Sequence, residues 1–151
     1  MKISKGQIVD GTVIGIKPYG AFVKLENGDV GLAYIEDLSV VRIKSPSDRV
    51  KIGQKLKFMV KSINEQDGRI SLSYKDFLGT WEENIEKFNE GTVVKGIVRN
   101  PEKNKNGIFI ELTPNLVGMA EYTEDFQYGQ TVDVFVKKII PEKKKVKLII
   151  V

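Results

Sequence analysis

The property that most narrows what this chain can fold into is that it repeats itself. Gly6 to Gly11, reading Gly-Gln-Ile-Val-Asp-Gly, shares its spacing with Gly91 to Gly96, reading Gly-Thr-Val-Val-Lys-Gly. Gly20-Ala21-Phe22-Val23-Lys24-Leu25 answers to Gly107-Ile108-Phe109-Ile110-Glu111-Leu112, and Gly31-Leu32-Ala33 answers to Gly118-Met119-Ala120. Further on, Gly53-Gln54 matches Gly129-Gln130, and Val60-Lys61-Ser62-Ile63 matches Val136-Lys137-Lys138-Ile139. Arg69-Ile70-Ser71-Leu72 matches Lys145-Val146-Lys147-Leu148. Blocks kept in order over so much chain describe two copies of one small unit, and each copy has to close its own core.

Within a unit the runs are short, rich in β-branched and aromatic residues, and cut by Gly, Asn and Asp, with no helical period. Glu26-Asn27-Gly28-Asp29 and Gln66-Asp67-Gly68 read as hairpin turns, because Asn-Gly and Asp-Gly accept the positive φ that tight turns need. Five short strands in about seventy residues cannot safely leave their edges open, so a small closed barrel is expected. The fold class is all-β, two tandem five-stranded barrels of the oligonucleotide-binding (OB) type.

Between the copies the pattern changes. Thr80 followed by Glu83 has the form of a capping box, and Trp81, Ile85 and Phe88 recur at helical spacing. This predicts an amphipathic linker helix of two to three turns, with its stripe, Trp81 included, packed on one or both barrels. The expected division is 1–76 for the first domain, 77–90 for the linker and 91–151 for the second domain. Both repeats carry an excess of Lys and Arg while the linker is acidic, within a formal net charge of +4.

There is no Cys and no His. Disulfides, thiolate metal sites and the commonest general base are thereby removed, so neither cofactor nor metal is expected and the chain reads as a non-enzyme. Adjacent carboxylates at Glu36-Asp37 and Glu124-Asp125 read as solvated loop residues. No run reaches the roughly 18 apolar residues that span a bilayer, and the first residues lack an apolar signal core, so a cytoplasmic location is expected.

The second strand of the first unit carries the chemistry. Side chains alternate along a strand, so if Ala21, Val23 and Leu25 fill the barrel, Phe22 and Lys24 share its outer surface. Tyr19 lies at the turn into that strand, and Tyr34 alternates with Ala33 and Ile35, so three aromatics can form one patch. Lys17, Lys24 and Arg69 come from strands or strand ends near this face. Asn64 can offer a donor and an acceptor to a base edge. The connection from Leu38 to Gly53, read as a solvated loop, adds Arg42, Lys44, Arg49 and Lys51 as a cationic rim. Aromatic faces take up bases while nearby cations hold phosphates, which makes a single-stranded nucleic acid the partner this surface suits.

The strings Gly6-Gln7-Ile8-Val9-Asp10-Gly11-Thr12-Val13, Pro18-Tyr19-Gly20-Ala21-Phe22-Val23, Val30-Gly31-Leu32-Ala33-Tyr34-Ile35 and Gly68-Arg69-Ile70-Ser71-Leu72-Ser73 resemble the S1 RNA-binding domain family. That family is named after the largest protein of the bacterial small ribosomal subunit. The resemblance covers Gly6 to about Lys75 and implies an OB barrel with an RNA site at Tyr19, Phe22, Tyr34, Asn64 and Arg69. The family commonly has His in place of Tyr34 and Asp in place of Asn64; Tyr still stacks, and Asn keeps hydrogen bonding without the negative charge. A Trp-containing helix ahead of a Gly-Thr-Val-Val-Lys-Gly run also resembles the joins inside the ribosomal protein, where such barrels stand in tandem.

Carried to the second unit, the site thins. Phe109 stands for Phe22 and Lys145 for Arg69, but Glu111 replaces Lys24, Glu121 replaces Tyr34 and Ile140 replaces Asn64. The turn from Asn100 to Asn106 offers no aromatic in place of Tyr19. Two carboxylates on that face would repel phosphate, so Phe109 and Lys145 remain as weaker candidates and the second barrel is expected to have lost most of its RNA site. Its apolar ending, Val146 to Val151, needs cover from the first barrel, the linker or a partner. The expected role is RNA binding in translation or RNA metabolism, with the ribosome or RNA-processing proteins as further partners. The competing expectation is a protein-docking module that uses the second barrel.

Overall fold

The computed structural model describes residues 2–99 and 106–151. The reading of the Asn100–Asn106 turn falls almost entirely outside them. Among the described residues ten strands form two closed barrels. The chain divides into one unit of Met1–Ser39 with Ile43–Leu78, and another of Val40–Arg42 with Gly79–Val151.

In the first unit the strands are β1 (Ile8–Lys17), β2 (Gly20–Leu25), β3 (Val30–Tyr34), β4 (Lys55–Ile63) and β5 (Ile70–Ser73). Their order around the barrel is β1-β2-β3-β5-β4. All neighbours are antiparallel except β3 and β5, whose parallel pairing sets Gly31 against Ile70 and Ala33 against Leu72. Val13, Ala21, Val23, Leu25, Ala33, Phe58, Val60, Ile70 and Leu72 point inward and form the core. Gly28 takes φ 93° in the β2–β3 turn, the conformation that the Asn-Gly pair anticipates.

The connection from β3 to β4 differs from the solvated loop expected. Leu38, Ile43 and Val50 drop into the core. Arg49, half-buried, donates from Nε to the Leu38 carbonyl at 3.2 Å. Three apolar side chains in one connection gain most by leaving water for the barrel's core, and that burial fixes the segment. Ser45 and Asp48 form a capping box over the 3-10 turn Pro46–Asp48, which stiffens the segment.

The second unit repeats the order with β6 (Val93–Val98), β7 (Ile108–Thr113), β8 (Leu116–Ala120), β9 (Thr131–Ile140) and β10 (Lys145–Ile150). Val98, Ile108, Ile110, Leu116, Val132, Val134, Val136, Val146 and Leu148 make its core. The apolar ending thus covers half of itself, Val146 and Leu148 facing inward while Ile149 and Val151 stay exposed.

The helix α1 covers only Trp81–Ile85, shorter than the spacing predicts. Thr80 and Glu83 make the anticipated capping box, each side chain satisfying the other's backbone N–H at 3.1 Å. Beyond Ile85 the bonds tighten to the i→i−3 type, Lys87 N–H to Asn84 and Phe88 N–H to Ile85, and Asn89 and Gly91 favour no further turn. Trp81, Ile85 and Phe88 still lie on one side, packed against the second-barrel core. Asn115, buried in the β7–β8 turn, holds the start of this segment by donating to the Gly79 carbonyl at 2.7 Å.

Candidate nucleic-acid interface

The outer surface of β2 and β3 can be laid out row by row from the strand register. One row runs Lys17, Gly20, Tyr34; the next Gly15, Phe22, Leu32, Ser71, Ser62; the third Thr12, Lys24, Val30. Ala21, Val23 and Ala33 are fully buried, so their neighbours Phe22, Lys24 and Tyr34 face outward as alternation requires. Phe22 and Tyr34 are diagonal neighbours on adjacent strands, within reach of one another's rings.

Tyr19 completes the group. It sits in the turn between β1 and β2, 49% exposed, and its carbonyl accepts the Ile35 N–H at 2.9 Å, which fixes the turn to the end of β3. Its ring centroid lies 6.2 Å from that of Phe22 with the planes at 87°, an edge-to-face pair. Perpendicular rings offer two differently directed faces, so each can take a separate base. Tyr34 is 39% exposed.

The approach of the strands at this point depends on Gly20. A Cβ there would come within 2.5 Å of the Ala33 carbonyl oxygen and 3.0 Å of the Tyr34 Cα. With no side chain at Gly20, Tyr34 can lie close beside β2.

Cations frame the rings. Lys17 and Lys24 are exposed at the two ends of the β2 face. Arg69 directly precedes β5, level with Val30 and hence with Lys24; its side chain is open to solvent and its Nε lies 3.4 Å from an Asp67 oxygen. Lys44 is exposed in the β3–β4 connection, outside these rows.

Asn64 sits at the head of the β4–β5 turn. Its Oδ1 accepts from the backbone N–H of Gln66 at 2.9 Å and of Asp67 at 3.3 Å. Both lone pairs are thus engaged in shaping the hairpin, and the amide N–H groups are what the side chain can still offer a ligand.

Asp37 is a residue that sequence reasoning misjudged. Read as a solvated loop carboxylate, it is buried, and Lys61 Nζ donates to both its oxygens at 2.9 and 3.1 Å. The hydrogen bond to Asp37 raises the Lys61 pKa above its ordinary 10.5. The Asp37 carbonyl meanwhile accepts the N–H groups of Tyr74 and Lys75 at 3.0 Å each. Asp37 therefore ties the exits of β3 and β5 to β4 just beyond Tyr34, a role with no signature in local alternation.

In the second barrel Phe109 faces outward between buried Ile108 and Ile110, Lys145 is exposed at the start of β10, and Glu121 is exposed after β8. Glu111 overturns the expectation of a repelling carboxylate: its side chain is only 3% exposed and lies 3.5 Å from Arg99 Nε. The Arg99 guanidinium also sits 5.3 Å from the centre of the Tyr128 ring. Two opposite charges buried side by side offset one another, so Glu111 is not the open carboxylate that its position in the strand suggests. Among the described residues, no helix is long and apolar enough to cross a membrane.

The model of the S1 RNA binding domain matches residues 2–75. The small ribosomal subunit protein bS1 of Staphylococcus aureus (strain COL) is 33% identical over 158 aligned residues, covering 97% of this chain and 40% of that protein. Its counterpart in Staphylococcus saprophyticus is 32% identical, with 97% of this chain and 39% of that protein covered. The chain thus spans about two fifths of the length of these relatives. Among solved structures, the solution structure of GSP13 from Bacillus subtilis is similar with a TM-score of 0.49 and 29% identity, covering 52% of this chain and 61% of that one. With the family model on residues 2–75 and the homology running through both barrels, the first barrel belongs to the S1 RNA-binding domain family and the chain is homologous to ribosomal protein bS1.

Proposed function

We propose that the first barrel binds single-stranded RNA on the outer face of β2 and β3, with Tyr19, Phe22 and Tyr34 as stacking surfaces. The observation that carries this reading is the grouping of the three rings, Phe22 diagonal to Tyr34 and edge-on to Tyr19, between the exposed cations Lys17, Lys24 and Arg69. Bases lie flat on aromatic faces in any sequence, and cations at the margin hold the phosphates between them. Arg69 and the N–H end of Asn64 add directional donors at one side. Membership of an RNA-binding domain family supports the partner, and homology to a small ribosomal subunit protein supports a setting in translation. The reading is one of binding: the face is made of aromatics and cations, groups suited to holding a base and a phosphate.

Titration with a single-stranded RNA of about twelve nucleotides at several salt concentrations tests the reading. Replacing Phe22 and Tyr34 together by Ala removes two stacking surfaces at about 1–3 kcal/mol each, so affinity falls at least about thirtyfold with the fold intact. Replacing Lys17, Lys24 or Arg69 by Gln lowers the salt slope by about 0.7 for each phosphate that is no longer neutralised. Undiminished affinity in the double variant would place the RNA elsewhere.

A second reading, protein docking by the second barrel, draws on a different observation. Val93, Phe135 and Ile149 form one cross-strand row over β6, β9 and β10, with Val93 and Ile149 exposed. Val93→Asp with Ile149→Asp would then abolish co-sedimentation with ribosomes while leaving RNA affinity unchanged.

A further inference from the structure

The register of the second barrel reveals a surface whose chemistry differs from that of the first. In the first barrel the row through Phe22 continues over Leu32 to Ser71 and Ser62, on β3, β5 and β4. In the second the same row runs Phe109, Met119, Lys147, Lys138, on β7, β8, β10 and β9. Where one barrel has two hydroxyls, the other has two ammonium groups.

The residues of this row share the outer side. Phe109 is flanked by buried Ile108 and Ile110, Met119 by buried Gly118 and Ala120, and Lys147 by buried Val146 and Leu148. Met119 is 38% exposed and both lysines are exposed. Two more cations adjoin them: Lys145, the next outward residue of β10, and Lys137, the extra residue where Lys138 pairs with Lys147 but Val136 pairs with Leu148. At about 4.8 Å between strands, the row is about 14 Å across.

The four lysines outnumber the exposed carboxylates around them. Glu111 is buried against Arg99. Asp133 is engaged by Lys95 at 3.1 Å, and Glu90 accepts the Ile139 N–H at 2.7 Å. Glu121 after β8, Glu90 before β6 and Glu142 in the β9–β10 turn are exposed, three carboxylates against four lysines. A ribbon of like charges with an aromatic and a thioether at one end matches a flexible polyanion that also carries flat apolar groups. We infer that the second barrel is an RNA contact surface in its own right, in which Lys138 and Lys147 hold backbone phosphates and Phe109 with Met119 supports a base or sugar. This surface is separate from the stacking face of the first barrel and does not depend on it.

Met119 lies in the middle of the row and supplies the probe. In the full chain labelled with ¹³C at the methionine methyls, a single-stranded RNA of about twelve nucleotides shifts the Met119 methyl in a saturable manner. In the Lys138→Glu, Lys147→Glu variant that shift disappears and the salt slope of RNA binding falls by about 1.4. Lys138→Gln with Lys147→Gln gives the same direction in a milder form, and an unchanged Met59 methyl position shows that the first barrel is intact. Should Met119 stay still while RNA binds through the first barrel, the inference is overturned and the first-barrel reading stands. A shift of equal size with poly-glutamate in place of RNA overturns it in favour of an acidic protein partner. If Met119 moves while Phe22→Ala with Tyr34→Ala leaves affinity intact, this surface holds and the first-barrel reading falls; absence of any RNA binding removes both.

Discussion

Lys61 Nζ spans the buried carboxylate of Asp37, donating to one oxygen at 2.9 Å and to the other at 3.1 Å. The two residues come from β4 and from the turn after β3, so their pairing fixes where Tyr34 leaves the sheet. Removing the cation leaves a buried charge without its donor. Lys61→Met is therefore expected to cost about 1–3 kcal/mol, read as a lowered urea midpoint. The raised Lys61 pKa gives a sign for pH as well. Its hydrogen bond to Asp37 favours the charged form in the folded state, so this stability is fully present below the unfolded value of 10.5. It is lost as pH climbs past 10.5 through the folded value, and urea curves at pH 9 and 11 should differ less in Lys61→Met than in the parent.

Asn64→Ala separates turn-making from ligand binding. Losing Oδ1 strands the N–H groups of Gln66 and Asp67 and is expected to destabilise the barrel by about 1 kcal/mol. Asn64→Asp keeps the acceptor and hence the turn, so its melting point stays close to the parent's while its added charge weakens RNA binding. Calorimetric melting paired with RNA titration distinguishes the two effects.

Gly20→Ala tests the close approach of β2 to β3. The new methyl group meets backbone at 2.5 Å, which cannot swing aside, so a loss of about 1–3 kcal/mol is expected together with a displaced Tyr34 and weaker RNA binding. Gly15→Ala is the control: its Cβ would sit 3.9 Å from the Phe22 ring, an ordinary approach, and little change in denaturation is expected.

Arg99 and Glu111 should show strong coupling. Arg99→Met alone removes the cation beside a buried carboxylate and is expected to cost about 3–5 kcal/mol, whereas Arg99→Met with Glu111→Met removes both charges and recovers most of that loss. A double-mutant cycle in chemical denaturation measures it. A double variant whose loss equals the sum of the two single losses would mean that the pair contributes nothing.

Much of this molecule is legible in the sequence because strand alternation is a strict rule where strands are regular. The repeat implies two barrels, and Ala21, Val23 and Ala33 betray the inward side, leaving Phe22, Lys24 and Tyr34 outside. Legibility ends where the rule does. Glu111 occupies an outward position by count yet is buried, since Arg99 and Tyr128 gather over that part of the barrel, and a tertiary cover has no period. Asp37 reads as loop because its partner Lys61 lies on another strand, at an irregularity between Val60 and Ser62. The Lys138–Lys147 row is hidden in the same way: residue-by-residue transfer of the first barrel's site asks only about positions already in use, and the extra Lys137 shifts the count along β9. The helix falls short for a different reason, its capping box marking the start clearly while nothing of comparable strength extends the end.

The parallel seam between β3 and β5 makes the ring-bearing hairpin wait for the last strand of its unit. Until Ile70–Ser73 has been synthesised and inserted between β3 and β4, β3 keeps a bare edge and Arg69 has no place beside Lys24. A chain stopped before Ile70 would carry Tyr19, Phe22 and Tyr34 and still lack the closed sheet that groups them with Arg69, so the proposed binding face is expected to arrive with ring closure and not gradually as the residues emerge.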